Sequence, residues 1–139
     1  MSSIEWICDA KGQQLALVIR SDAVTIDVHF FTPDDFSQQV GLLMHPKGKI
    51  IRPHLHKPIR RVINQTQETL HVRRGLVEAD IYDCDTRKVA TVQLRAGDTI
   101  LLAEGGHGLR VLEEAQILEV KQGPYLGVDD KEPIVDSRE

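Results

Sequence analysis

Short runs that alternate apolar and polar residues, or that are rich in Val, Ile and Thr, recur along nearly the whole chain and are separated by compact turn signals. IEWIC, LALVIR, VTIDVHFF, VGLLMH, KIIRPHLH, ETLHVRR, LVEADIYD, KVATVQL, DTILLA, HGLRVLE and AQILEVK each suit a strand, in which successive side chains take opposite faces. Between them stand AKGQQ, PDDFSQQ, HPKGK, DCDTRK, RAGD and EGGHG, built from residues that favour tight turns. Eleven such runs in 139 residues predict an all-β barrel or sandwich in a single domain, long enough to bury a real core. Helix is expected only over TPDDFSQQ, with Thr32 as cap and Pro33 at the first position. From Gly123 onward the chain becomes a polar, turn-rich tail.

Composition narrows the function classes. The formal net charge is −4 and no dense Lys/Arg stripe is present, which argues against a nucleic-acid partner. No apolar run reaches the roughly 20 residues of a spanning helix, and the N-terminus lacks the basic and apolar regions of a secretory leader. Cys8 and Cys84 lie far apart without metal-finger or CxxC spacing and read as free thiols. A cytoplasmic protein acting on a small molecule, with no membrane partner, is the resulting expectation.

The chemistry concentrates around GKIIRPHLH, Gly48 to His56. If this run is a strand, His54 and His56 share a face and grip one object together, with Arg52 beside them. Pro53 removes a ladder hydrogen bond, so the strand is expected at an edge or bulged. In ETLHVRRG, Glu68 shares the face of Leu70 and Val72, while His71 takes the other. A carboxylate on an apolar face is costly unless it is paired or coordinated. His107 lies on the face of Leu109 and Val111 by the same alternation, so three imidazoles and a carboxylate are candidates for a common metal site. His29 and His45 lack comparable partners and read as structural or surface histidines. Arg52 is a candidate either for a substrate carboxylate or phosphate or for a salt bridge at the barrel mouth.

These spacings resemble the cupin superfamily. Its first motif, G(X)5HXH(X)3–4E(X)6G, is matched by Gly48, His54 and His56 at its opening and by Glu68 and Gly75 at its close. Eleven residues separate His56 from Glu68 where the pattern has three or four, and Gln65 and Gln67 are alternatives to Glu68. The second motif, G(X)5PXG(X)2H(X)3N, is approximated by GDTILLAEGGHGLRV from Gly97 to Val111, with Ala103 for the proline and Val111 for the asparagine. The resemblance implies a double-stranded β-helix barrel as one domain, with its core over about residues 38–122 and a tail over 123–139. It also implies a divalent metal (Fe, Mn, Ni, Zn or Cu) held by His54, His56, Glu68 and His107.

The ending EVKQGPYLGVDDKE is similar to that of small cupins associated with surface-polysaccharide biosynthesis, which implies a sugar or sugar-nucleotide substrate and makes Arg52 or Arg110 available for phosphate. The expected activity is metal-dependent, of the isomerase, epimerase or dioxygenase type according to the metal. The alternatives are a non-catalytic small-molecule-binding barrel and a metal-free sugar isomerase that uses histidine as acid or base. Ile4, Trp6 and Ile7 suggest an edge strand able to pair in a homodimer.

Overall fold

The structure, a computed structural model, describes residues 2–135, with the side chains of Val128 and Asp129 left aside. The last residues of the expected tail, 136–139, lie outside the described residues. Among the described residues the chain is all-β, with one short 3-10 turn at Gly127–Asp130. It divides into two compact units, Val24–Gln65 and the combination of Met1–Ala23 with Thr66–Glu139.

The larger unit contains β1 (Ile4–Cys8), β2 (Gln14–Ile19), β5 (Glu68–Tyr82), β6 (Lys88–Arg95), β7 (Thr99–Leu102) and β8 (Gly106–Lys121). All six join one antiparallel sheet in the order β1-β2-β7-β5-β6, with β8 along the remaining edge of β5, and the sheet curls into a half-barrel. The first half of β5 pairs with β7 and the second half with β6, while β8 pairs along its entire length. At the junction of β6 and β7, the Val72 and Gly97 amides donate to the carbonyls of Asp98 and Val72 respectively.

Two strands are longer than the sequence runs suggest, because each fuses two of them. ETLHVRR and LVEADIYD form the single strand β5, and HGLRVLE and AQILEVK form β8. The alternation of β5 breaks in the middle: Leu70 and Val72 lie in the core, and so do Val77, Ala79 and Ile81. Between Val72 and Val77 the pairing with β8 shifts repeatedly, so that β8 spends seven residues (Val111 to Ile117) where β5 spends six (Val72 to Val77). An extra residue on one strand bends the ribbon and strengthens its twist. Gly75 sits in this bend at φ +89°, and a Cβ there would lie 2.1 Å from the Glu114 carbonyl oxygen, so only glycine lets the two backbones approach this closely.

The core unites Ile7, Leu15, Ala16, Val18, Leu70, Val72, Val77, Ala79, Ile81, Leu94, Ile100 and Leu102. β1 and β2 contribute Ile7, Leu15, Ala16 and Val18 to it. The buried Asp98 carboxylate ties the β6–β7 turn to the end of β2: it accepts from the amides of Arg95 (2.8 Å) and Ser21 (2.9 Å) and from Arg20 Nη1 (3.0 Å).

The smaller unit contains the hairpin of β3 (Val28–Phe30) and β4 (Gly41–Leu43). The helix expected over TPDDFSQQ is absent. The Gln39 amide donates to the carbonyls of Pro33 (2.8 Å) and Phe36 (3.0 Å), and the Thr32 hydroxyl accepts from the Val40 amide (3.1 Å) and donates to Gln39 Oε1 (3.0 Å). A side chain thus takes carbonyls that helical amides would have used, and the segment closes as a hairpin loop. The expected strand KIIRPHLH is also absent, since no regular element lies between Leu43 and Glu68. Pro46, Pro53 and Pro58 interrupt this stretch, and each lacks the amide that a ladder requires.

Candidate functional site

The two histidines of the HXH sequence lie in irregular chain, yet they remain neighbours. Their ring centroids are 5.2 Å apart, with the ring planes at 70°. His54 Nδ1 lies 2.8 Å from the Arg52 carbonyl oxygen. A carbonyl carries no proton, so Nδ1–H is the donor, and in the neutral ring Nε2 keeps its lone pair. Metal-binding imidazoles commonly have this arrangement, one nitrogen tied to an oxygen and the other left for the ion. Arg52 therefore enters the geometry through its backbone carbonyl, not through the strand alternation that first placed it beside His54. Gly48 adopts φ +87° in a turn closed by the Lys49 amide on the Pro46 carbonyl (3.1 Å).

A second pair forms in the larger unit. His107 pairs across the ribbon with Ile81, and Glu68 pairs with Lys121 and Leu102. Along a straight β5 the positions of Glu68 and Ile81 would stand about 40 Å apart at the usual rise per residue. The bend at Gly75 folds the ribbon back, and His107 Nε2 comes to 3.2 Å from Glu68 Oε2. The Glu68 side chain is 12% exposed, on the face that continues into Leu70 and Val72. The hydrogen bond from His107 holds the Glu68 carboxyl below its ordinary 4.5; burial opposes this, and the charges of His107, Lys121 and Lys131 add to the lowering. The carboxylate is thus kept ionised in a largely apolar setting by its partners.

Gln67, the alternative to Glu68, is buried, and its carbonyl accepts from the Gln122 amide (3.3 Å). Gln65 ends the smaller unit. The donors come as two pairs, one in each unit, and neither unit by itself gathers three His, Cys, Asp or Glu side chains around a common point among the described residues.

The remaining sequence candidates fall elsewhere. His71 lies on the face of β5 opposite Glu68, as alternation requires, with Nδ1 2.9 Å from Thr99 Oγ1. His29 packs edge-on against Phe31 at 4.7 Å. The Nε2 atom of His45 is buried without a hydrogen-bond partner among the described residues. Arg110 is engaged by Glu78 at 3.0 Å and, by alternation, points away from the face of His107, so it is not available there for a phosphate. Cys84 is exposed, and burial of its sulfur, together with nearby Glu104, pushes the thiol pKa up, which disfavours the reactive thiolate.

Lys121 and Lys131 are the residues beside Glu68 that the sequence reading missed. The alternation Ile117, Glu119, Lys121 extends the face of His107 to the end of β8 and was the available signal. No sequence pattern announces Lys131, which is brought in by the fold of the tail. Comparison with protein-family models, curated proteins and solved structures returns no match.

Proposed function

We propose that this chain is a divalent-metal-binding protein of the cupin type, with the pair His54 and His56 and the pair Glu68 and His107 as its ligand candidates, and that it is an enzyme for a small polar metabolite of the sugar or sugar-nucleotide class. The observation that carries the reading is the Glu68–His107 contact, an ionised carboxylate and an imidazole held together at the end of an apolar sheet face. Such a pair is costly to bury for packing alone and suits a site that needs charge. The donor chemistry fits: His54 has its Nδ1 committed to a carbonyl, and in Glu68 and His107 an ion would replace the shared proton. When bound, the ion supplies Lewis-acid polarisation of a carbonyl or, if it is iron or copper, oxygen chemistry.

The chain's own residues do the rest. Glu68 and His107 orient one another, and the Arg52 carbonyl fixes the His54 ring. Elemental analysis of the purified full-length protein tests the assignment. Near-stoichiometric metal in the wild type, with most of it lost in both His54→Ala and Glu68→Gln, is the expected result. Undiminished metal in either variant removes that residue from the ligand set. No metal in any of them, even after reconstitution, removes the reading.

The same contact supports a second reading, a metal-free sugar isomerase. A carboxylate bonded to imidazole Nε2–H fixes the tautomer and leaves Nδ1 as a base for a proton next to a sugar carbonyl. Turnover that survives exhaustive chelation but is lost in His107→Ala distinguishes it from the metal enzyme.

A further inference from the structure

The sheet of the larger unit ends in three edge strands, and they are not equivalent. β1 has five residues, a register shift between Ile7 and Cys8, and its Ile7 committed to the core. β6 has eight residues, and Arg20 Nη1 already donates to its Gln93 carbonyl at 2.6 Å. β8 runs for 16 residues, and among the described residues β5 is the only strand that pairs with it. Short strands, bulges and covering side chains are the ordinary means of blunting an edge. On β8 the irregularity is confined to the middle, across from Gly75, and Leu109, Val111 and Leu112 are 44%, 59% and 41% exposed along it. A long edge that also carries apolar side chains is a template for another strand.

The residues of β8 fit a second copy of themselves. Leu109 and Val111 oppose Ala79 and Val77 on the core face, Ala115 and Ile117 pack against the buried cluster, and Arg110 opposes Glu78 on the other face. Two copies paired antiparallel about a two-fold axis keep their core faces on one side only when one residue lies on the axis opposite its own copy. Arg110, Glu113 or Glu114 on the axis would set like charges against each other, which is unfavourable. Val111 there would leave Arg110 and Glu114 opposite an apolar residue and a glycine. Leu112 on the axis meets the partner's Leu112, sets Leu109 opposite the partner's Ala115, and sets Arg110 opposite the partner's Glu114. Within one chain Arg110 is bonded to Glu78 at 3.0 Å and Glu114 to Arg74 at 3.1 Å. The row across the joined sheets then runs Glu78, Arg110, the partner's Glu114, the partner's Arg74, alternating in sign at every step, and symmetry repeats it.

We infer that β8 is the interaction edge of this protein and that its occupant is a second copy of the chain, paired antiparallel through β8 with Leu112 on the two-fold axis. The pairing joins two curled sheets along their long edges with both concave sides facing the same way. It also sets the partner's Ile117 opposite His107, whose side chain is 35% exposed in the single chain, so association adds apolar cover beside the Glu68–His107 pair. The inference stands on the strand and its charges and is independent of what Glu68 and His107 bind.

Analytical ultracentrifugation of the full-length protein under reducing conditions tests this. The wild type should be a dimer at about 50 µM and dissociate on dilution. Leu112→Lys and Leu112→Glu each place like charges on the axis and should weaken association by about tenfold or more, with circular dichroism and Tm close to those of the wild type because Leu112 is partly exposed. Mixed in equal amounts, the two variants should associate again, since lysine then opposes glutamate. A second measurement does not depend on charge. In a Cys8→Ser, Cys84→Ser background, oxidised Leu112→Cys should give a covalent dimer, because residues directly opposite stand about 4.5–5.5 Å apart, within disulfide reach. Glu119→Cys, far from the axis, should not. A wild type that stays monomeric overturns the inference. So does a dimer untouched by Leu112→Lys, which would place the contact at another edge such as β1. A variant mixture that stays monomeric, with no covalent dimer of Leu112→Cys, overturns the axis at Leu112.

Discussion

Replacing Gly75 with alanine perturbs the point on which the fold and the Glu68–His107 pair both depend. Two costs add at this position. Its φ of +89° belongs to the region that alanine enters at about 1 kcal/mol above glycine. The new methyl would also lie 2.1 Å from the Glu114 carbonyl oxygen and 2.8 Å from the Ala115 Cα, both backbone atoms that no rotamer change can move. Forced overpacking of this kind costs about 1–3 kcal/mol. The total is ~2–4 kcal/mol, a large share of the roughly 5–15 kcal/mol that stabilises a typical domain. At about 2 cal/mol/K per residue the unfolding entropy of 139 residues is ~0.3 kcal/mol/K, so Tm should fall by about 7–13 °C.

Gly12→Ala supplies the control. Its φ is +82°, almost the same, but nothing lies within 4 Å of the added carbon. That variant should lose only the backbone share, about 1 kcal/mol or ~3 °C. Thermal unfolding of both variants, followed by circular dichroism, measures the difference. A Gly75→Ala loss no larger than that of Gly12→Ala would refute the claim that close backbone approach, and not merely a left-handed dihedral, demands glycine at the bend.

Two further outcomes follow from charged groups in the larger unit. Asp98→Ala strands two backbone amides and removes the ion pair with Arg20, whose Nη1 keeps its bond to the Gln93 carbonyl, and should cost about 3 kcal/mol in urea unfolding with an unchanged m-value; a midpoint matching the wild type would show that solvent replaces these bonds freely. Glu68 has a folded pKa held below 4.5, so its ionised form contributes stability above that pH, and the contribution is lost as pH falls through the lowered folded value. The stability gap between wild type and Glu68→Gln should therefore shrink as pH drops below about 4.5, and a gap that widens there would contradict the assigned direction.

The all-β character was legible in local pattern, because alternation and turn residues act over a few positions. IEWIC, LALVIR, KVATVQL and DTILLA each coincide with a strand of the structure to within a residue at either end. The alternation that placed Glu68 with Leu70, and His107 with Leu109, also survives, since β pairing preserves side-chain parity within each run. The same rule failed at KIIRPHLH. A strand needs a partner that accepts its ladder, and a stretch with three prolines offers too few amides, so His54 and His56 approach each other in irregular chain. At TPDDFSQQ the cap and proline signals were real, but the Gln39 side chain, reaching back from six residues on, took carbonyls that a helix would have used.

Sequence by itself thus determined the strand chemistry and which residues share a face within each run. Tertiary structure alone decided that β5 and β8 each run through two sequence segments, that their ribbon folds back at Gly75 to bring Glu68 to His107, and that the tail is tethered through Asp130 to Thr66. The reason is physical: periodicity records which face a residue takes relative to its near neighbours, whereas a bulge, a left-handed glycine and a tethered tail act on distances between residues far apart in the chain.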